Sequence, residues 1–299
     1  MDFVWTADPV LFYLPDFLGG RGIRYYGVLY AIALMVGYYF WQWQMMRAGR
    51  EKKQAERFLT IAIVSVIVGA RLGHCLFYEP ERYLKNPIEI LKFWEGGLSS
   101  HGTTVALLFT FWYYARREKM KFREVFDRAS FGIAWGAAII RIGNFMNSEI
   151  VGRVTDGPIK AKFPRHDHGL LRDCAQKCGE VANDVCTMVG DKCVDVSQVP
   201  WRHPSQIYEA LMGFAMLGIL LLVDRACGGE ARRPLGLFGS IFLAVYFTGR
   251  FLVEFVKEYQ SQAPSGLTIG QYLSIPFILL GIYGIWYSLK HGRPAPAAA

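Results

Sequence analysis

Residues Phe131 to Arg153 read FGIAWGAAIIRIGNFMNSEIVGR. The run from Phe131 to Ile140 carries no charge and has the composition of a helix body inside a membrane. Arg141, Asn144, Asn147, Glu149 and Arg153 then follow within a short distance. An Arg at the centre of a spanning helix costs about 2.5–3.5 kcal/mol on insertion scales. So many polar groups behind an apolar run need partners: water, one another, or a bound polar ligand. The plain alternative is a helix that leaves the bilayer and turns polar. A second Arg inside an apolar run, Arg250, favours the ligand, because two guanidiniums can share one anion.

The chain as a whole fits this setting. Its 299 residues are 53% hydrophobic, 19% charged and 15% aromatic, too apolar for an ordinary soluble domain. Windows of about 20 mostly apolar residues recur, the length that crosses a bilayer as a helix. They lack the alternation of a membrane β-barrel. The expected fold class is all-α, a polytopic membrane protein of about seven transmembrane helices. The spans fall at about 23–46, 58–78, 99–114, 129–146, 205–223, 235–256 and 267–289. Residues 1–22, mixed aromatic and acidic, are expected at the interface. They have no basic segment ahead of an apolar core, so no cleavable signal peptide is expected.

The net charge of +8 does not point to nucleic acid here, because the basic residues lie in loops. There they orient the protein and meet anionic lipid. The loops after the first, third and fifth spans and the C-terminal tail are rich in Lys and Arg, with Arg57 and Arg128 counted among them. The opposite loops hold only Arg21, Arg24, Arg82, Lys85, Lys92 and Lys257. The expected orientation is therefore N-terminus outside and C-terminus cytoplasmic. The transmembrane domain spans 1–290, interrupted by an external insert at 155–202, with a disordered tail at 291–299. Cys174, Cys178, Cys186 and Cys193 lie in that insert. An oxidising compartment makes two disulfides the default, with three pairings open. Zinc, with His166 and His168, is disfavoured because no C-x2-C knuckle is present. Cys75 and Cys227 are expected to be free thiols.

Polar groups gather at the outer ends of the spans: Tyr26; His101 with Gly102; the Arg141–Arg153 stretch; His203 to Ala210, with Tyr208 and Glu209; and Tyr246 to Glu258, with Arg250 and Glu254. Singly, each has a plain reading. Tyr26 suits an aromatic belt, Ser205 suits an N-cap, and Arg250 and Glu254 suit an i,i+4 pair. Together, on one side of a bundle, they suggest a site. Two Arg in a low dielectric bind phosphate strongly, and a His or Tyr beside them can move a proton. Residue chemistry thus points to an enzyme acting on a phospholipid headgroup. Arg71 and His74, one helical turn apart, suit a helix–helix contact or a headgroup approach path.

Several of these stretches also resemble a known family, the bacterial prolipoprotein diacylglyceryl transferases. The resemblance runs from Gly22 to Leu289. It rests on Arg141-Ile-Gly-Asn-Phe-Met-Asn-Ser-Glu149 with Gly152-Arg153, and on Arg24-Tyr25-Tyr26-Gly27 and Ser100-His101-Gly102. It rests further on Arg202-His203-Pro204-Ser205-Gln206-Ile207-Tyr208-Glu209, Arg250-Phe251-Leu252-Val253-Glu254-Phe255 and Leu267-Thr268-Ile269-Gly270-Gln271. It implies a bacterial inner-membrane enzyme with its site toward the periplasmic leaflet. Such an enzyme moves the diacylglyceryl group of phosphatidylglycerol onto the lipobox cysteine of a preprolipoprotein, with no metal or cofactor. His101, Arg141, Arg250 and Tyr26 would be catalytic. Asn144, Asn147, Glu149, Gly152, Arg153, Tyr208, Glu209, Tyr246 and Glu254 would bind substrate. Membrane lipids and lipobox signal peptides would be its partners. Two departures stand out: Thr103-Thr104 where the family tends to a second glycine, and Lys257 where it tends to Arg. They keep a second reading open, a phospholipid-binding or transport paralogue without transfer chemistry.

Overall fold

In the computed structural model, residues 2–18, 20–92, 99–167, 186–189, 192–259 and 266–292 are described. Each of the seven apolar stretches forms a helix: α1 (Tyr25–Arg47), α2 (Lys52–Phe77), α4 (Ser100–Arg117), α5 (Phe122–Met146), α7 (Ser205–Ala226), α8 (Leu237–Val253) and α9 (Ile269–His291). Four of them, α2, α5, α7 and α9, are long and apolar enough to cross a membrane; α8 is apolar but shorter. The chain is thus mostly helical, with the make-up of a multi-pass membrane protein. Short helices α3 (Pro80–Lys85) and α6 (Pro164–Asp167) lie in connections.

The helices pack where small residues let backbones approach. A Cβ on Gly73 of α2 would sit 2.6 Å from Gly102 Cα of α4, and one on Gly213 of α7 2.7 Å from Ala138 N of α5. Aromatic and aliphatic side chains fill the remainder. Trp41, Met45, Phe111, Tyr114 and Val125 join α1, α4 and α5, while Phe131, Met216, Leu220, Phe238 and Phe242 join α5, α7 and α8. Large apolar side chains also cover the outside, among them Ile63 and Val64 of α2, Phe109 of α4 and Leu279 of α9. That is the surface expected where lipid replaces water.

Three features depart from the sequence reading. Helices α2 and α5 begin well before their apolar windows, because such a window marks the bilayer crossing and not the helix. The early turns pair their polar groups internally, so Arg57 and Arg128 are helix residues and not loop charges; Arg128 is fully buried. The fold is also not purely α. Two-stranded sheets join β1 (Asp2–Val4) to β4 (Lys160–Lys162), β2 (Val10–Tyr13) to β3 (Gly22–Arg24), and β5 (Cys186–Val189) to β6 (Lys192–Asp195). Strand β1 pairs with the insert, so the N-terminal segment is part of a small head; Phe3 and Trp5 pack there with Val151, Ala161 and Phe163. Finally, α9 runs on to His291, one residue into the expected tail; 293–299 lie outside the described residues.

Cys75 and Cys227 are free thiols. Cys174, Cys178 and His168 lie outside the described residues, as do the side chains of Cys186 and Cys193.

Candidate active site

Helix α5 carries Arg141 near its C-terminal end, α7 carries Glu209 in its second turn, and α8 carries Tyr246, Arg250 and, just beyond its end, Glu254. The end of α5, the start of α7 and the end of α8 meet at one end of the bundle. At their meeting point sits the Glu209 carboxylate, 1% exposed. Arg141 Nε lies 2.9 Å from Glu209 Oε2, in charge contact and not an aligned hydrogen bond. Arg250 donates to Glu209 Oε1. Lys257 Nζ lies 3.7 Å from the same oxygen, and Arg250 reaches Glu254 Oε2 at 3.9 Å. Arg250 therefore pairs first with Glu209 and only loosely with Glu254, unlike the i,i+4 pair the sequence allows.

A buried charge is tolerable only when paired. Here three cations face two carboxylates, which leaves one positive charge uncompensated. Burial pulls the Lys257 ammonium below its usual range, and the neighbouring Arg250 and Arg141 act the same way, while Glu209 and Glu254 oppose them. Tyr246 is within electrostatic reach of Arg250, Arg141 and Glu209. Asn144 accepts a hydrogen bond from Arg141 at 3.2 Å, which orients the guanidinium.

The glycines of these motifs are spacers. A Cβ on Gly143 would lie 2.8 Å from the Tyr26 ring, so Gly143 admits that ring beside Arg141. A Cβ on Gly152 would meet His203 and sit 2.7 Å from Val256 O, so Gly152 lets the strand from α5 slide between those two segments. After α5 the backbone is strained: Ser148 and Ile150 adopt φ of 55°. A β-branched residue there is unfavourable and needs outside support. Ser205 supplies it by donating to Ile150 O at 2.9 Å, and Gln206 by donating to Glu149 O at 2.7 Å. This corrects the reading of Ser205 as an N-cap. Pro204 is the cap residue, and the Ser205 hydroxyl braces the turn instead.

Not every expected residue joins the cluster. Asn147 donates to Glu149 Oε1 at 3.2 Å, and Glu149 is exposed at the lip. Arg153 turns away from Glu209: it donates to Lys257 O at 2.8 Å and Glu254 O at 3.3 Å, and lies over Tyr259. It thus caps the end of α8 and holds Lys257 in place. Tyr208 contacts His203 Nδ1 at 3.3 Å, toward the insert; burial lowers the His203 pKa. His101 is in the first turn of α4, with its side chain outside the described residues.

Comparisons with known proteins give the family. Residues 9–287 match the family model described as prolipoprotein diacylglyceryl transferase. The chain belongs to that family. It is similar to proteins named phosphatidylglycerol–prolipoprotein diacylglyceryl transferase in several bacteria. That of Tolumonas auensis is 37% identical over 289 residues, 96% of this chain and 97% of that protein. That of Porphyromonas gingivalis is 36% identical over 96% of this chain and 95% of that protein, and that of Bacteroides fragilis 33% over 95% and 94%.

Within this member of the prolipoprotein diacylglyceryl transferase family, Thr103 and Lys257 both have defined places. The Thr103 hydroxyl donates to Ser99 O at 3.0 Å, folded back on its own helix. Lys257 places its ammonium 3.7 Å from Glu209 Oε1. Two features escaped the sequence reading. One is Glu209 as the hub; its position one turn inside an apolar helix was the available signal. The other is Arg202, which clamps Asp167 with bonds of 3.0 and 2.6 Å and holds Glu258 at 2.8 Å, tying the insert to the segment that carries Lys257. These pairings are between residues distant in sequence and leave no local pattern.

Proposed function

We propose that the chain transfers the diacylglyceryl group of phosphatidylglycerol to the lipobox cysteine thiol of a preprolipoprotein. The observation that carries this is the convergence of Arg141 and Arg250, from separate helices, on one buried carboxylate with positive charge left over. A lipid phosphodiester is an anion that such a site accepts by charge-assisted bonds. Family membership supplies the substrates.

In the proposed reaction the thiol loses its proton, because the thiolate is the nucleophile. Its sulfur attacks the glycerol carbon of the diacylglyceryl group that bears the phosphate ester. The C–S bond forms as the C–O bond breaks, and glycerol 1-phosphate leaves with the electron pair. Arg141 and Arg250 stabilise the charge gathering on that phosphate. His101 or Tyr26 accepts the thiol proton. Asn144, Asn147, Glu149, Tyr208 and Tyr246 line the headgroup site, Glu209 draws the two guanidiniums together with Glu254 beside Arg250, and Gly152 and Arg153 shape the wall.

The reading extends to topology. In this reading seven spans cross the bacterial inner membrane, the N-terminus and the active site face the periplasm and the C-terminus the cytoplasm, and 155–202 is a periplasmic insert stapled by its cysteines within a domain of 1–290. The uneven loop charge supports this orientation. To test the function, purified protein is incubated with phosphatidylglycerol and a lipobox peptide. A peptide mass gain of one diacylglyceryl group, with glycerol 1-phosphate released, is expected. Lipid bound without any mass gain would favour a transport paralogue instead.

A further inference from the structure

A cavity of about 420 Å³ opens between α2 and α4 at the end of the bundle opposite Glu209. It is lined by Lys53, Glu56, Arg57, Thr60, Ile61 and Arg117. Lys53, Glu56, Arg57 and Thr60 recur at helical spacing, so α2 presents one continuous polar stripe to it. Arg117 closes it from the last turn of α4. Glu118, buried behind the wall, holds Arg57 through bonds of 2.9 Å to each of its oxygens and stands 3.7 Å from Arg117. Arg57 is thereby fixed in orientation and largely neutralised. Glu56 is engaged by Lys52 at 3.8 Å. Among the described residues Lys53 has no carboxylate partner, and the one carboxylate near Arg117 is that of Glu118, which Arg57 already occupies. The cavity keeps cationic groups for a visitor.

The surface beyond the cavity is of a different kind. Along the same two helices, toward the middle of the bundle, Ile63, Val64, Phe109, Trp112 and Tyr113 are exposed. Arg117 donates to the Tyr113 hydroxyl at 3.3 Å, where polar rim and aromatic wall meet. A cationic hollow at a helix end that continues into an exposed apolar track matches one ligand shape: a phosphate head on acyl chains. Basic pockets between membrane helices are a recognised place for anionic headgroups. A free phosphate would use the hollow and leave the track bare.

We infer that this cavity is a second lipid site, for the phosphate of an anionic phospholipid in the leaflet opposite the active site. The inference needs the chain to span a bilayer and does not need the transfer chemistry. The lipid bridges α2 and α4, the pair whose far end carries His101.

The test uses full-length protein in phosphatidylcholine nanodiscs containing phosphatidic acid with a photoreactive acyl chain. Crosslinked positions are read by peptide mass spectrometry. Crosslinks are expected at 60–64 and 109–113. They should fall roughly tenfold in the Lys53→Gln/Arg117→Gln variant, as two interfacial cations are lost. The single exposed change Lys53→Glu should lower them in the same direction, so the test stands even if the double variant misfolds. Arg141→Ala should leave these crosslinks unchanged, and both cavity variants should still lipidate a lipobox peptide. Equal crosslinking by photoreactive phosphatidylcholine, or yields unchanged in Lys53→Glu, overturns the inference. Displacement by inorganic phosphate assigns the hollow to a free anion and overturns it too.

Discussion

The two ends of the bundle both gather arginines, fully buried in Arg128 and half-buried in Arg141 and Arg250, and they do so to opposite effect. At the end away from Glu209, Arg128 donates to Glu124 and the Gln44 carbonyl, each at 2.8 Å, and forms an ion pair with Glu230 at 2.8 Å. Arg233 joins Glu230 at 3.0 Å and Arg47 joins Asp224 at 2.6 Å. Asp127 accepts from Gly236 N and Gly239 N, 2.6 and 2.7 Å away, and so caps α8. Each of these three arginines has a carboxylate beside it, and backbone N–H groups hold Asp127. At the Glu209 end three cations share two carboxylates, and the turn beside them is strained. A balanced, buried network holds helices together; an unbalanced one, partly open, is available to a ligand.

Substitutions should separate these two roles. Arg141→Ala should reduce lipidation by about 10³-fold, the scale of losing a donor aimed at developing charge. Its thermal unfolding should hardly move, because Glu209 keeps Arg250 and Lys257. Arg128→Ala should do the reverse. Leaving Glu124 and Glu230 short of a partner costs about 3–5 kcal/mol, seen as a lower melting temperature in detergent, while each surviving folded molecule transfers lipid normally. If Arg128→Ala instead lowers the rate per folded molecule as far as Arg141→Ala does, the two ends are not distinct.

Glu209→Ala tests the hub. Three cations then crowd around Glu254 alone, and a stability loss of about 3 kcal/mol is expected by thermal unfolding, alongside a loss of activity. Gly143→Ala asks whether the signature glycine is a spacer. Its Cβ would meet the Tyr26 ring at 2.8 Å, so Tyr26 must shift, at about 1–3 kcal/mol of overpacking together with a lower turnover. Ser205→Ala is the smallest. It removes the bond to Ile150 O and should cost about 1 kcal/mol, with a slower rate if the turn relaxes.

How much of this was legible depended on the range of the interaction. Apolar windows located the seven helices, because one helix crossing a bilayer is a local composition problem. Arg141 and Arg250 stood out because a charge inside such a window demands a reason. Glu209 reads in the sequence as a substrate-binding residue and not as the hub, since that role comes from side chains on other parts of the chain. Arg128 was read as loop charge because its partners, Glu230 and Gln44, lie far along the chain. The pairing of β1 with β4 was hidden for the same reason: three-residue strands carry too little pattern to read. The head was therefore the least legible part, and Arg202, which fastens it to the site, was visible only as a letter in a motif.

The central claim is that Arg141 and Arg250 act on one phosphate. A double-mutant cycle on phosphatidylglycerol affinity tests it most directly, using wild type, Arg141→Ala, Arg250→Ala and the double variant in nanodiscs. If both guanidiniums hold the same phosphate, the two losses are coupled, by roughly 0.5–3 kcal/mol. Losses that simply add, to within about 0.3–0.5 kcal/mol, would mean two independent contacts and would contradict the account.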